Sequence, residues 1–137
     1  MEFEGSNHGG RTWRSFEFRF KAQHDDRIWR HVAPWFDRFK AGLQLAFNGP
    51  QTTVIPRVAA LLIQRNPDVM ALFRGDPFPD RPPAMVRMPV HRFSFTDLAT
   101  CSRTGNFWRK EHLGDYALPI YLNERGHLDQ GPLEGAR

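Results

Sequence analysis

Three phenylalanines at alternate positions restrict the fold of this chain more than any other feature. Between Ser15 and Lys21, residues Phe16, Phe18 and Phe20 fall on one side of an extended backbone and polar residues fall on the other. This is the pattern of a half-buried antiparallel strand. The residues from 6 to 10 are typical of a turn, so residues 2 to 5 are expected to pair back as a short strand. Since a lone hairpin is only marginally stable in water, we expect it to join a larger sheet.

The region after the hairpin predicts helices. Aromatic and aliphatic residues recur at spacings of three and four from 34 to 47, which predicts a helix that ends before Asn48. A second helical region is expected over about 56 to 73, with Pro56 in its first turn. Within it, Asn66 and Pro67 repeat the helix-start signal, so a short third helix follows, closed by Gly75.

The segment from Asp76 to Pro83, here named the proline connector, holds four prolines in eight residues and cannot be helix or central strand. It is expected to be stiff and extended. Residues 85 to 96 then predict a strand whose apolar parity changes near His91, which indicates a bulge, while Pro89 indicates a sheet edge. A further short helix is expected to open at Thr104 and Gly105 and to end at Gly114.

These elements predict an α+β domain, with an antiparallel sheet built from the N-terminal hairpin and later strands and covered on one face by two to three helices. Residues 1–122 are expected to form this single domain, and residues 123–137 a polar, disordered tail. The other face of the sheet is expected to be solvated or to meet a partner. The expected core between sheet and helices consists of Phe16, Phe18, Phe20, Phe39, Leu43, Leu61, Leu62, Leu72, Phe73, Val86, Val90, Phe93 and Phe95.

Charge and cysteine content limit the possible functions. The net charge of +4 is spread over 137 residues, which gives only a weak attraction to anions. The single cysteine, Cys101, excludes an intrachain disulfide framework. No stretch approaches the roughly 18 apolar residues that a membrane span requires. Arginines beside aromatic residues, as in Trp13-Arg14, leave open a binding module for an anionic ligand such as nucleic acid.

No pattern in the sequence indicates a catalytic centre. A Gly-x-Ser-x-Gly nucleophile motif is missing, and Cys101-Ser102 lies in a turn-like stretch without a neighbouring base. The only local cluster of metal-type ligands, His24-Asp25-Asp26, lacks the spacing and the second ligand pair of a zinc or calcium site. We therefore predict no catalytic, cofactor-binding or metal-binding residues.

Three ordered stretches carry a resemblance to a known family. The first comprises Phe3 to Asn7, Gly10 to Trp13 and the Phe-rich run that follows; the second comprises Asn66 to Phe73 and the proline connector. The third runs from Val86 to Phe95 and on through Gly105-Asn106-Phe107-Trp108-Arg109-Lys110-Glu111 to Tyr116. Together they resemble the C-terminal domain of the lipase maturation factor family over residues 1 to 122. The chain departs from the family after Val32-Ala33-Pro34, where only the aromatic and acidic character is kept.

The resemblance implies a chaperone-like, non-catalytic domain that assists lipase folding. Its expected partners are a client protein such as a lipase, or the membrane-embedded portion that precedes this domain in the family, and nucleic acid is not expected. Eukaryotic members of the family sit in the endoplasmic reticulum membrane, and a bacterial member is expected in the cell envelope. The chain would then be either an excised domain or a stand-alone relative.

Two groups of residues are candidates for protein contact. In the proline connector, Phe78, Pro79 and Arg81 are held in a pre-ordered backbone, which lowers the entropy cost of binding. The alternative is that Phe78 packs into the core of its own domain. The second group is Trp108, Arg109 and Tyr116, because Trp, Arg and Tyr are the residue types enriched at interface hot spots. For Trp108, burial against the Phe16 strand is the alternative.

Overall fold

The chain was analysed as a computed structural model, which describes residues 1–19, 23–27 and 54–132. Phe20 and the helix expected over 34 to 47, with Phe39 and Leu43, lie outside these residues. The described helices are α1 (Val54–Ile63), α2 (Pro67–Met70) and α3 (Leu98–Thr104). The described strands are β1 (Phe3–Ser6), β2 (Arg14–Phe16), β3 (Met85–Arg87), β4 (Pro89–Phe95), β5 (Trp108–Asp115), β6 (Ile120–Leu122) and β7 (Leu128–Gln130).

Five of the described strands form one antiparallel sheet in the order β2-β1-β3-β6-β7. The expected hairpin is present, with Phe3 opposite Phe16 and Gly5 opposite Arg14. Ser6 shapes its turn, because the Oγ atom accepts hydrogen bonds from the backbone N–H groups of His8 and Gly10. The α+β prediction is therefore confirmed. Within residues 1–19, the regular part of the Phe-rich strand ends at Phe16 and is followed by a bridge between Phe18 and Phe73.

Helices α1 and α2 lie on one face of this sheet. Helix α1 buries Ile55, Val58, Ala59, Leu62 and Ile63 and contacts β3 and β6. Helix α2 begins where the sequence predicts, because the Asn66 side chain accepts hydrogen bonds from the N–H groups of Asp68 and Val69. Between the layers lies a phenylalanine cluster in which Phe18 stacks on Phe73 at 4.9 Å and Phe3 meets both rings edge-on.

The core agrees with most of the expected residues that the structure describes. Phe16, Phe18, Leu62, Phe73 and Val86 are buried, and Leu61, Leu72 and Val90 pack against them. Phe93 is half-buried in the second sheet described below. Placing Phe95 in the core was wrong, since its side chain is 79% exposed. The parity change at His91 moves the end of this strand out of the main sheet, so alternation no longer points Phe95 to the core.

The predicted strand over 85 to 96 is two strands in two different sheets. Strand β3 belongs to the main sheet, whereas β4 pairs with β5 in a separate two-stranded sheet, here named the ribbon. Buried Met88 marks the change, where its carbonyl accepts a hydrogen bond from the N–H of Tyr116. The expected irregularity is present as a register shift between Val90 and His91. Such a shift bends the strand and redirects its side chains.

Two expectations for the last third of the chain were wrong. The helix expected from Thr104 to Gly114 is not present. Helix α3 lies just before this segment, is capped by Asp97 and ends at Gly105 with φ +74°, and strand β5 follows. Gly105 is thus the end signal of one helix and not the start of another. The expected tail from 123 to 137 contains strand β7, which pairs with β6 and extends the sheet. Within the described part of the chain, no helix has the length and apolarity needed to cross a membrane.

Candidate interaction surfaces

The proline connector is fixed to the body of the domain by one arginine. Arg65 follows α1 with a left-handed backbone, φ +53°, which turns its side chain towards the connector. Its guanidinium donates to the carbonyls of Phe78 and Pro79, both at 3.1 Å, and pairs with Asp76. The other carboxylate oxygen of Asp76 accepts from the N–H of Phe78 at 2.8 Å. The connector is therefore a braced segment, as its prolines predict.

Phe78 packs in the core of its own domain. Its ring is only 6% exposed and lies 5.7 Å from the ring of Phe16. It occupies the space above Gly5, where a Cβ atom would come within 2.6 Å of the ring. Of the connector candidates, Pro79 and Arg81 are the ones that remain exposed. Phe78 therefore anchors the connector, and the two exposed residues are the ones that a partner could reach.

A groove of about 720 Å³ lies between the connector and the hairpin turn, here named the connector groove. Arg14 and Arg81 are its cationic side chains. Arg14 donates to the carbonyl of Pro77 at 3.0 Å, and Arg81 donates to the carbonyl of Asn7 at 3.3 Å. Its described lining consists of Asn7, His8, Thr12, Trp13, Arg14, Phe78, Pro79, Asp80 and Arg81.

The hairpin side of this groove was not predicted, because the sequence marks Trp13-Arg14 only as an arginine beside an aromatic residue. Trp13 is half-buried, and the guanidinium of Arg87 lies 4.3 Å from its ring centroid. Arg87 is held in turn by Glu4 at 2.7 Å. Trp13 thus has one role in the fold and another as a groove wall. The signal available beforehand was Trp13-Arg14 directly after a turn, but nothing in the sequence placed that turn beside residues 78–81.

One face of the ribbon carries the second surface. The cross-strand pairs Phe93–Lys110 and Phe95–Trp108 share a face, which is here named the aromatic face. The rings of Phe95 and Trp108 stack at 4.4 Å, and Phe93 meets Trp108 edge-on at 6.3 Å. The Trp108 indole N–H donates to the carbonyl of Arg27, which fixes that ring. Burial of Trp108 against the Phe16 strand is not observed among these contacts.

The structure separates the three candidates of this second group. Arg109 pairs with Ser94, so the alternation of the strand puts it on the opposite side of the ribbon from Trp108. Tyr116 lies beyond the end of β5, half-buried against the core, and its buried hydroxyl has no hydrogen-bond partner among the described residues. Only Trp108 therefore belongs to the aromatic face, where Phe95 joins it as a residue that the sequence reasoning had assigned to the core.

A buried polar cluster joins the ribbon to the main sheet. The Glu2 carboxylate is 1% exposed and pairs with the Lys110 ammonium at 2.8 Å. His91 Nδ1 lies 3.7 Å from the same carboxylate. Burial lowers the pKa of His91 below its usual 6.5; the Glu2 carboxylate opposes this, and Lys110, His112 and the N-terminal amine add to it. Ion pairing in a buried setting demands defined geometry, so this cluster fixes the orientation of the ribbon.

The histidine of the loop cluster has a local partner. His24 Nε2 lies 3.0 Å from Glu17 Oε1, and this hydrogen bond is the main reason that the pKa of Glu17 lies below its usual value. The carbonyl of Asp25 accepts from the N–H groups of Phe107 and Trp108. In the described ranges, no three His, Cys, Asp or Glu side chains are grouped to hold a metal ion. Through the Asp25 carbonyl, the loop holds the start of β5 in place.

Comparison with known proteins gives one match. The family described as lipase maturation factor C-terminal domain matches residues 1–119. No curated protein and no solved structure shows significant similarity to the chain. The matched range includes the hairpin, both helices of the sheet cover, the proline connector and the ribbon.

Proposed function

We propose, since the chain belongs to the family of lipase maturation factor C-terminal domains, that it is a non-catalytic domain that contacts a client polypeptide and assists its folding. The client class that the family suggests is a lipase. A membrane-embedded portion of a parent protein is the other expected partner, and the location that follows is the endoplasmic reticulum membrane or a bacterial cell envelope. The alternative is a binding module for an anionic ligand such as nucleic acid.

The observation that supports a polypeptide client is the exposure of Phe95 on the aromatic face of the ribbon. Phe95 is 79% exposed, although it belongs to a regular strand and stacks on Trp108. Leu98, which opens α3 three residues later, is 90% exposed. Burial of one such side chain against a partner contributes about 1.5–3 kcal/mol. Apolar clusters of this kind suit an incompletely folded chain, whose own apolar residues are still accessible.

Two described cations of the ribbon have acidic partners, which weakens the alternative. Lys110 is bound to Glu2, and Arg92 pairs with Glu111 at 3.6 Å on the other side of the ribbon. A nucleic-acid surface needs several phosphate contacts, and its affinity falls steeply with salt. The aromatic face therefore fits an apolar partner better than a polyanion.

The test is retention of a lipase from the same genome, co-expressed with the tagged full-length chain and purified at moderate salt. The wild-type chain is expected to retain the lipase, and Phe95→Ser is expected to lose it. Leu118→Ser is the matched control, because Leu118 is also an exposed apolar residue, 52% accessible, but lies outside the ribbon. Loss of retention in both variants, or in neither, would contradict the role given to the aromatic face.

The same purified chain distinguishes the alternative. Binding to random oligonucleotides that weakens steeply as salt is raised, without retention of the lipase, would favour the anionic-ligand module. Retention of the lipase that survives moderate salt supports the proposed function.

A further inference from the structure

The connector groove contains two arginines whose described hydrogen-bond partners are backbone carbonyls. Arg14 donates to Pro77 and Arg81 donates to Asn7, and neither forms an ion pair with a carboxylate of the described residues. By contrast, Arg65 and Arg87, on either side of the groove, are each paired with an acid. A guanidinium has five N–H donors, so Arg14 and Arg81 keep donors that their carbonyl bonds do not use.

We propose that the connector groove binds an acidic segment of a polypeptide, with a carboxylate held between Arg14 and Arg81. Guanidinium groups bind carboxylates through parallel hydrogen bonds, which fix the direction of the bound group. Trp13 and Pro79 supply apolar walls for the chain that carries the carboxylate. This inference rests on the proposed function only in that the anion belongs to a polypeptide.

The size and rigidity of the groove fit such a ligand. Its volume of about 720 Å³ falls within the range of about 300–1,000 Å³ that is usual for ligand clefts. One wall is the connector, braced by Arg65 and anchored by buried Phe78, and the other is the turn that Ser6 holds. Because both walls are fixed before binding, little conformational entropy is lost when a segment enters.

The charge of the groove favours a carboxylate over a nucleic acid. Asp80 also lines the groove, and none of the described basic groups lies within ion-pair distance of it. With Arg14 and Arg81 the charged side chains of the described lining then sum to a single positive charge. Tight nucleic-acid binding commonly uses about 6–10 phosphate contacts. A single excess charge suits one or two carboxylates.

The binding test is an NMR titration of the full-length chain with an end-blocked peptide of alternating Asp, Glu and Gly residues. The same peptide with Asn and Gln in place of the acids is the ligand control. We expect the acidic peptide to shift the indole N–H signal of Trp13, while the neutral peptide leaves it in place. The double variant Arg14→Gln with Arg81→Gln is expected to weaken binding about tenfold, the loss of one charge-assisted hydrogen bond or more.

Arg125→Gln is the matched protein control. Arg125 is an exposed arginine in the turn between β6 and β7, at the opposite edge of the sheet from β2. It should leave the affinity for the acidic peptide unchanged.

Asp80→Asn tests the same proposal through an increase in affinity, which misfolding cannot produce. Removing this carboxylate from the groove should tighten binding of the acidic peptide about threefold, since a like charge is lost. The proposal would be overturned if the affinity for the acidic peptide were unchanged both in Asp80→Asn and in the double variant. Equal shifts of the Trp13 signal by the neutral peptide would also overturn it, as would preferential binding of a short oligonucleotide at Trp13. Retention of a lipase through the ribbon is measured separately, so either proposal can fail alone.

Discussion

Gly5 shows how one residue sets the packing of the connector. It is buried in β1, and a Cβ atom there would lie 2.6 Å from Phe78 and 2.9 Å from Pro83. Such distances force a shift of the ring and of the proline behind it. Gly5→Ala is therefore expected to lower the free energy of unfolding by about 1–3 kcal/mol, the usual cost of overpacking. Urea denaturation monitored by tryptophan fluorescence measures the change.

Gly75→Ala is the control for this substitution. Gly75 lies at the start of the bend that leads to the connector, and a Cβ atom there would meet nothing within 4 Å. Its free energy of unfolding should stay close to wild type. Equal losses in both variants would mean that the cost at Gly5 is not the contact with Phe78.

His91 gives the stability of the domain a defined pH dependence. Its pKa is lowered in the folded protein, chiefly by burial, from a usual value of 6.5. Well above pH 6.5 the ring is neutral in both states and contributes no pH dependence. Below it, the unfolded chain binds a proton that the folded chain resists, so the free energy of unfolding should fall as the pH is lowered. Urea titrations between neutral and mildly acidic pH measure this slope.

The corresponding variant is His91→Gln, which should have a smaller slope over the same pH range. His127→Gln is the control, since His127 is exposed in the turn between β6 and β7. If the His91 variant keeps the wild-type slope, another group of the cluster is responsible for it.

At the scale of elements, the end of α1 and the proline connector behave as one unit. Arg65 adopts a left-handed backbone and reaches two carbonyls and one carboxylate of the connector. Arg65→Ala keeps a Cβ atom, so the backbone strain is unchanged and only the bracing is lost. We expect about 1 kcal/mol of destabilisation, because the arginine is partly exposed, and faster hydrogen exchange of the Phe78 N–H. Arg103→Ala, an exposed arginine in α3, should change neither quantity.

The sequence predicted the elements that depend on local chemistry and missed those that depend on long-range pairing. The hairpin, the Asn66 cap and the proline connector follow from alternation, a capping side chain and ring geometry, and the structure contains all three. Strand β5 was predicted to be part of a helix, because its eight residues include consecutive charged residues and lack a clear polar–apolar alternation. The two sides of this strand become distinct only through its pairing with β4. Its pairing with β4 overrides the weak local preference.

The candidate surfaces were predictable to a similar extent. Arg81 was proposed because the connector backbone is pre-ordered, and Trp108 because its residue type favours contacts; the structure places both on candidate surfaces. The exposure of Phe95 was not predicted, because the register shift at His91 changes which side of the strand faces the core. Arg14 was noted only as an arginine beside an aromatic residue. Its position beside the connector was not predicted, because the two segments lie more than sixty positions apart along the chain, as the bond from Arg14 to Pro77 shows.

At the scale of the whole molecule, the described residues form a domain with a phenylalanine core, a braced connector on one side and a ribbon that exposes Phe95 on its aromatic face. The core and the Glu2 cluster hold the ribbon in a fixed orientation, so the exposed side chain of Phe95 is presented without rearrangement. Membership of the lipase maturation factor family gives this arrangement its proposed use.

The most direct test of this account is the recovery of lipase activity after dilution of the denatured enzyme from urea, with and without an equimolar amount of the full-length chain. The wild-type chain is predicted to raise the recovery, Leu118→Ser to raise it equally, and Phe95→Ser to lose most of the gain. No gain with the wild-type chain, or an undiminished gain with Phe95→Ser, would contradict the account.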